Sequence, residues 1–319
     1  MSNNPKANGL EAGKESTRMS MFPTMLITGA NGYIASNILT HITPREGIFL
    51  HIRNAIVAER YRRTGWQVLE GDLTQGAVLE ALPKVDCILH TVGLFRGSAL
   101  DILRTNVLST SGVLRIMETR RIPRLIFLST AAVYGDTADT LANEDTPPNP
   151  LTPYGTSKLV AEILIRSAVD VGRIGSALVL RCGNVYGPGS PKGMFFELAS
   201  KICAGLPARV DGDGLQLRDP LYIDDLVGLI VSVLASSGKK GLVIYNVSGR
   251  ERCTVLHLAN MIAQAAGVPY KMEFTGKPAG LPHALCLDSS KVLRELNWKP
   301  KVSLAEGIAR AYAFPEGSQ

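Results

Sequence analysis

The chain has little of what marks a membrane, secreted or metal-loaded protein. No apolar run reaches the ~18 residues that span a bilayer, because charged or polar residues interrupt even the stretches around 177–179 and 226–234. No membrane-spanning segment is therefore expected. Five cysteines (Cys87, Cys182, Cys203, Cys253 and Cys286) are scattered among 319 residues without a CxxC pair, a pattern that suits reduced thiols in the cytoplasm better than a disulfide framework. The five histidines, His41, His51, His90, His257 and His283, show no ligand spacing, and no metal site is expected. Blocks of like charge are also scarce. The net charge of +6 gathers only around Arg60, Arg62 and Arg63 and around Arg120, Arg121 and Arg124, which read as solvated helix ends rather than as a nucleic-acid surface. Internal repeats and low-complexity segments are absent. The first residues are polar and lack the apolar core of a signal peptide, so 1–23 and 315–319 are expected to be flexible tails.

What is present is a hydrophobic fraction of 45%, enough at this length for one large core or two modest ones. From Met25 onward, β-branched runs alternate with helical patterns. That rhythm predicts an α/β fold with a doubly wound parallel sheet of the Rossmann type, helices covering both faces. Strands are expected at 24–28, 48–52, 87–90, 125–129 and 177–181, each almost continuously apolar and so buried on both sides. Helices are expected at 159–171, before Gly172, and at 255–266, where Thr254 can N-cap and Gly267 can terminate. The proline-rich stretch 146–153 cannot be helix or central strand. It must be a surface connection that delivers Tyr154 to a helix start. Beyond Asn184 the rhythm loosens into glycine- and proline-rich turns at 187–193 and 211–214. A dinucleotide-binding domain is therefore expected over 24–183, rejoined by 224–247, with a smaller α/β substrate-binding lobe built from 184–223 and 248–314.

Three segments carry chemistry. Thr28-Gly29-Ala30-Asn31-Gly32-Tyr33-Ile34-Ala35 follows the first strand and opens a helix, where a dinucleotide pyrophosphate rests on helix N-terminal amides. Gly29, Asn31, Gly32, Tyr33 and Ile34 are the candidate contacts. The third position of the fingerprint, usually glycine, is Ala35. Twenty-four residues past Gly29, where an NAD enzyme places an acid for the adenosine ribose, stands Arg53. A guanidinium can pair with a phosphate there, favouring NADP over NAD; an arginine stacked on adenine beside ordinary NAD fits as well. Asp72, in Gly71-Asp72-Leu73, is placed to accept from the adenine amine, with Leu73 beside it.

The second segment is Ser129-Thr130-Ala131-Ala132-Val133-Tyr134-Gly135 at a strand end, and the third is Tyr154-Gly155-Thr156-Ser157-Lys158. Spacing of i, i+4 puts Tyr154 and Lys158 on one helix face. A phenol with a solution pKa near ~10 is a poor base at neutral pH, so a neighbouring ammonium is needed, and Lys158 is expected to supply it. Thr130 can hold the reacting oxygen beside Tyr154.

With these residues the chain resembles the extended short-chain dehydrogenase/reductase family, the NAD-dependent epimerases and dehydratases typified by UDP-galactose 4-epimerase. The resemblance runs from about Met25 to Tyr312 and includes Arg181-Cys182-Gly183-Asn184-Val185-Tyr186-Gly187-Pro188-Gly189, Arg218-Asp219-Pro220-Leu221-Tyr222-Ile223-Asp224-Asp225-Leu226, Asp288-Ser289-Ser290-Lys291 and Leu296-Asn297-Trp298-Lys299-Pro300. It implies that Thr130, Tyr154 and Lys158 are catalytic, that Tyr154 and Lys158 also meet the NAD(P) cofactor, and that Asn184 and Arg218 contact a nucleotide diphosphate. Arg218 could instead be salt-bridged to Asp219 or Asp224. Two departures bear on activity. Dehydratases of the family carry an Asp-Glu pair after the catalytic threonine, where this chain has Ala131 and Ala132; and only Lys277, within 276–280, could replace a further arginine of the second lobe. The resemblance thus implies 4-epimerisation of a nucleotide-sugar through a transient keto-sugar. The alternatives are an NADPH-dependent 4-keto-sugar reductase, a ketoreductase of a substrate without a nucleotide, or a non-catalytic NADP(H) sensor; relatives of this last kind typically lose the tyrosine or lysine kept here. It also implies a homodimer paired through two helices per subunit.

Overall fold

The computed structural model describes residues 22–43, 45–75, 77–137, 140–191, 193–276 and 282–312. The expected tail residues 1–21 and 315–319, and Lys277, lie outside them.

Six strands and the helices between them build the front of the chain: β1 (Met25–Thr28), α1 (Tyr33–Leu39), β2 (Ile48–Ile52), α2 (Ala55–Arg63), β3 (Gln67–Glu70), β4 (Cys87–His90), α3 (Ala99–Leu103), α4 (Ser109–Arg120), β5 (Arg124–Thr130), α5 (Pro153–Asp170) and β6 (Ser176–Cys182). Farther on come α6 (Met194–Cys203), α7 (Ile223–Ala235), the strand Gly241–Val247 and α8 (Val255–Ala266). The seven-stranded sheet runs in the order β3, β2, β1, β4, β5, β6 and then Gly241–Val247, every pairing parallel. Chain order reverses between β1 and β4, and ligands of such sheets sit at that switch point, beyond the strand C-termini.

Alternation along the strands assigns side chains to the two faces. Met25 and Ile27 of β1 enter a core that includes Ile38 of α1 and Leu226 and Ile230 of α7. Leu26 points the other way, into a core shared with Val113 and Met117 of α4 and Ala161 and Ile165 of α5. The first core continues without a break into Leu198 and Ile202 of α6 and Leu258 and Ile262 of α8, so the site between them rests on packed side chains.

Local signals place most boundaries. Thr254 Oγ1 accepts from the His257 amide at 3.0 Å, and Gly267 closes α8 at φ +64°, as expected. α5 begins at Pro153 rather than at 159: Thr152 caps it by accepting from the Gly155 amide at 3.1 Å, and proline suits a first helical position because its missing N–H would be unpaired there. β1 starts at Met25 rather than at 24, and the Thr24 hydroxyl donates to Asp86 at 2.6 Å. The strand Gly241–Val247 had not been anticipated; its register against β6, from Gly241 beside Ser176 to Val247 beside Cys182, is a long-range pairing.

Candidate active site

At the dinucleotide end, Gly29 adopts φ +67°, and a Cβ there would lie 3.1 Å from Val92 Cγ2 and 3.2 Å from Thr91 Oγ1. Only glycine makes this turn without strain. Gly32 stands at the N-cap of α1 with no side chain capping the helix, which leaves first-turn N–H groups, beginning with Tyr33 and Ile34, to an incoming anion. Asn31 is exposed at the turn and Ala35 is buried beneath it. This backbone cradle fits the pyrophosphate of a dinucleotide. Tyr33 turns its hydroxyl toward Gly187, where a Cβ would sit 2.8 Å from it. Arg53 is exposed just past β2, followed by Asn54, which caps α2 by accepting from Val57 at 3.0 Å. Asp72 accepts from the Thr74 amide at 2.9 Å; that bond holds its carboxyl below the usual range, with Arg53 and His51 adding to the effect. Leu73 is buried behind it.

At the reacting end, α5 carries Tyr154 and Lys158, and β5 ends on Thr130. The Thr130 hydroxyl accepts from the Ala132 amide at 3.2 Å. Burial pushes the Tyr154 phenol up to about 12; Cys182 adds to the rise and a hydrogen bond with Thr130 opposes it. Lys158 is buried on the same helix. Its Nζ donates to Leu128 O at 2.7 Å and Val92 O at 3.1 Å and lies 4.4 Å from the Phe127 ring centroid. One helical turn deeper than Tyr154, its stem follows the β4 and β5 strand ends rather than the cleft. Burial brings its ammonium down to about 8, against Glu162 and Cys182.

A cleft of about 1320 Å³ lies between the sheet and the later segments, and Thr130, Tyr154, Asn184 and Arg218 all line it. Lys158 sits behind its wall; the glycine loop, Arg53, Asp72 and Leu73 do not line it. The Arg218 guanidinium donates to the carbonyls of Leu217 (2.7 Å), Pro282 (3.0 Å) and His283 (3.3 Å). It is salt-bridged to neither candidate carboxylate, because Asp224 faces Arg310 at 3.8 Å and Asp219 accepts from the Leu287 amide at 2.7 Å. Burial lowers the Arg218 pKa. Among the described residues its hydrogen-bond partners are carbonyls, with Asp219 and Asp136 near enough to act on its charge, and such a guanidinium can receive an anion.

The family model for the NAD dependent epimerase/dehydratase family matches residues 25–248. The chain belongs to this family. A curated relative, an uncharacterized UDP-glucose epimerase of Bacillus subtilis (strain 168), is 28% identical and aligns over 91% of this chain and 97% of its own. A dTDP-glucose 4,6-dehydratase of an Actinoplanes strain is 27% identical over 91% and 97%. Among solved structures, UDP-glucuronic acid 4-epimerase of Bacillus cereus, in complex with UDP-glucuronic acid and NAD, superposes with TM-score 0.80 at 25% identity, covering 91% and 98%.

In this epimerase/dehydratase-family chain two further sets of residues shape the site. Asn106 lies in a π-helical turn, Arg104–Leu108, a distortion that often marks functional sites. Its carboxamide accepts from the Leu94 amide (2.7 Å), donates to Leu94 O (2.9 Å) and donates to Ser157 Oγ (2.8 Å), tying the loop after β4 to α5 between Tyr154 and Lys158. Below, Arg181 of β6 and Glu162 of α5 form an ion pair at 2.7 Å, 4% and 5% exposed. Ser129 donates to Glu162, Arg181 donates to the Tyr134 hydroxyl at 2.8 Å, and Tyr134 donates to Asn246 at 2.8 Å. The signal available beforehand was weak: a lone Asn and a lone Glu inside helical patterns.

Asp219 gives a pH-dependent prediction. Burial raises its carboxyl from 3.8 to about 7. Over that window the native state keeps a proton that the unfolded chain releases, so this group makes stability fall as pH rises, with no further change above it. Asp219→Asn removes the dependence. Relative to wild type, its melting temperature should be higher at pH 8 than at pH 5 by scanning fluorimetry; an equal difference at both would refute the assignment.

Proposed function

We propose that the protein catalyses NAD(P)-dependent oxidoreduction of a nucleotide-sugar, most directly 4-epimerisation through a transient keto-sugar. The observation that carries this reading is that Thr130 and Tyr154 share one cleft with Asn184 and with Arg218, whose guanidinium donates to backbone carbonyls and forms no salt bridge among the described residues. Asn184 and Arg218 hold the diphosphate and set the sugar against Tyr154. The Gly29–Gly32 turn would hold the pyrophosphate of a pyridine dinucleotide, whose nicotinamide would supply hydride acceptance and return and, when oxidised, a positive charge. Tyr154 takes the proton from the sugar hydroxyl and later gives it back. Its phenol, at about 12 in the protein alone, needs positive charge nearby to act as a base near neutrality. Thr130 binds the reacting oxygen, and Lys158, one helical turn from Tyr154, supplies positive charge that favours the phenolate. Ala131 and Ala132 offer no acid or base beside Thr130, which argues against dehydration even though dehydratases are among the relatives.

Arg53 favours the second reading, an NADPH-dependent 4-keto-sugar reductase. Incubation with UDP- and dTDP-sugars and either pyridine nucleotide separates the two. The epimerase yields the C4-inverted sugar without net change in nicotinamide absorbance, whereas stoichiometric NADPH loss establishes the reductase. Arg53→Asp should shift the NADP-to-NAD affinity ratio by roughly tenfold or more, as loss of a charge-assisted hydrogen bond implies; an unchanged ratio refutes that role. Leu100 (64% exposed), Leu108 (44%) and Ile163 (55%) on the α3–α5 side support pairing of two copies through these helices.

A further inference from the structure

The cleft near the Tyr154 phenol is spanned by an ion pair that the reaction scheme does not use, its two side chains 59% and 50% exposed. Arg96, in the loop after β4, reaches Glu197 of α6, joining segments 101 residues apart, and both side chains line the cleft. The pair lies one ring away from the reacting phenol: the Arg96 guanidinium is 5.6 Å from the Phe95 centroid, and Phe95 meets Tyr154 edge-on at 6.2 Å. The other side chains lining this end, Ile102, Ala131, Ala132, Met194 and Leu198, carry no charge. Farther charges, the cations Lys201, Arg209 and Arg218 and the carboxylates Asp211 and Asp213, line the cleft from the last turn of α6 and from 208–218.

We infer that the Arg96–Glu197 pair selects a nucleotide-sugar whose sugar is uncharged beyond the reacting carbon, and that it discriminates against uronates. The inference rests on the nucleotide-sugar reading above. Hydroxyls of a neutral hexose can donate to Glu197 and accept from Arg96 with the pair intact. A carboxylate entering the same space meets Glu197 as a like charge, and pairing with Arg96 would require it to displace Glu197 and leave that carboxylate unmatched. Such repulsion is a specificity device against the wrong substrate.

Calorimetric titration of the full chain with UDP, UDP-glucose and UDP-glucuronic acid tests this. Wild type should bind UDP-glucose roughly tenfold more tightly than UDP-glucuronic acid, a modest fraction of what like charges at close range impose. Glu197→Gln should tighten UDP-glucuronic acid and narrow the ratio. Arg96→Gln, which leaves Glu197 unpaired, should widen it. UDP affinity should stay constant in both variants. Equal or tighter binding of UDP-glucuronic acid by wild type, or movement of the ratio in the same direction in both variants, overturns the inference while leaving the nucleotide-sugar reading standing. A wild-type protein that binds none of the three ligands overturns that reading, and this one with it.

Discussion

Tyr154→Phe is expected to lower turnover on the active nucleotide-sugar by ~10²–10⁴-fold, the range that positioned proton transfer contributes, with pyridine-nucleotide affinity within about twofold of wild type. The phenol alone offers a titratable oxygen against Thr130, and phenylalanine keeps the ring that packs edge-on with Phe95. Turnover and cofactor titration measured on one preparation separate chemistry from binding. Retained turnover removes Tyr154 from the mechanism. Unchanged biological output with intact cofactor binding favours a sensor.

The largest stability effect belongs to the buried Glu162–Arg181 pair. Removing one partner of such a pair leaves a charge stranded in the interior and destabilises by about 3–5 kcal/mol. Glu162→Ala should therefore lower the urea midpoint substantially, with Arg181 left only the Tyr134 hydroxyl among its side-chain partners. Replacing both, Glu162→Met with Arg181→Met, should recover most of the loss, because hydrophobic residues of similar volume substitute well for buried ion pairs. The pair joins α5 to β6 beneath Tyr154 and Lys158, so the single variant should also raise the backbone exchange rate of the first turns of α5. A single variant within about 1 kcal/mol of wild type would show the network to be dispensable, since most ordinary substitutions fall near that value.

Much of the site was legible in the chain because its signals are local. Gly29 and Gly32 mark a tight turn into a helix, and Tyr154 and Lys158 sit one turn apart. Thr130 ends a strand whose apolar run gives it away. The end-point of the Lys158 side chain was not legible. Spacing places two side chains on one helix face, but where a long stem ends depends on neighbouring carbonyls, here those of Val92 and Leu128. Arg218 adds a second case: the alternative of a salt bridge to Asp219 or Asp224 came from closeness in sequence, and backbone carbonyls from 217, 282 and 283 hold its guanidinium.

By itself, the order of residues determined the alternation of strands and helices, the glycine turn, the capped ends of α8 and the choice of candidate reactive side chains, since each depends on groups within a few positions of one another. Tertiary structure alone decided the pairing of Gly241–Val247 with β6, the Asn106 bridge, the burial of Glu162 with Arg181 and the span from Arg96 to Glu197. Those contacts join segments that are distant in the chain and adjacent only after the sheet and helices pack, and burial and charge compensation act on distance in space.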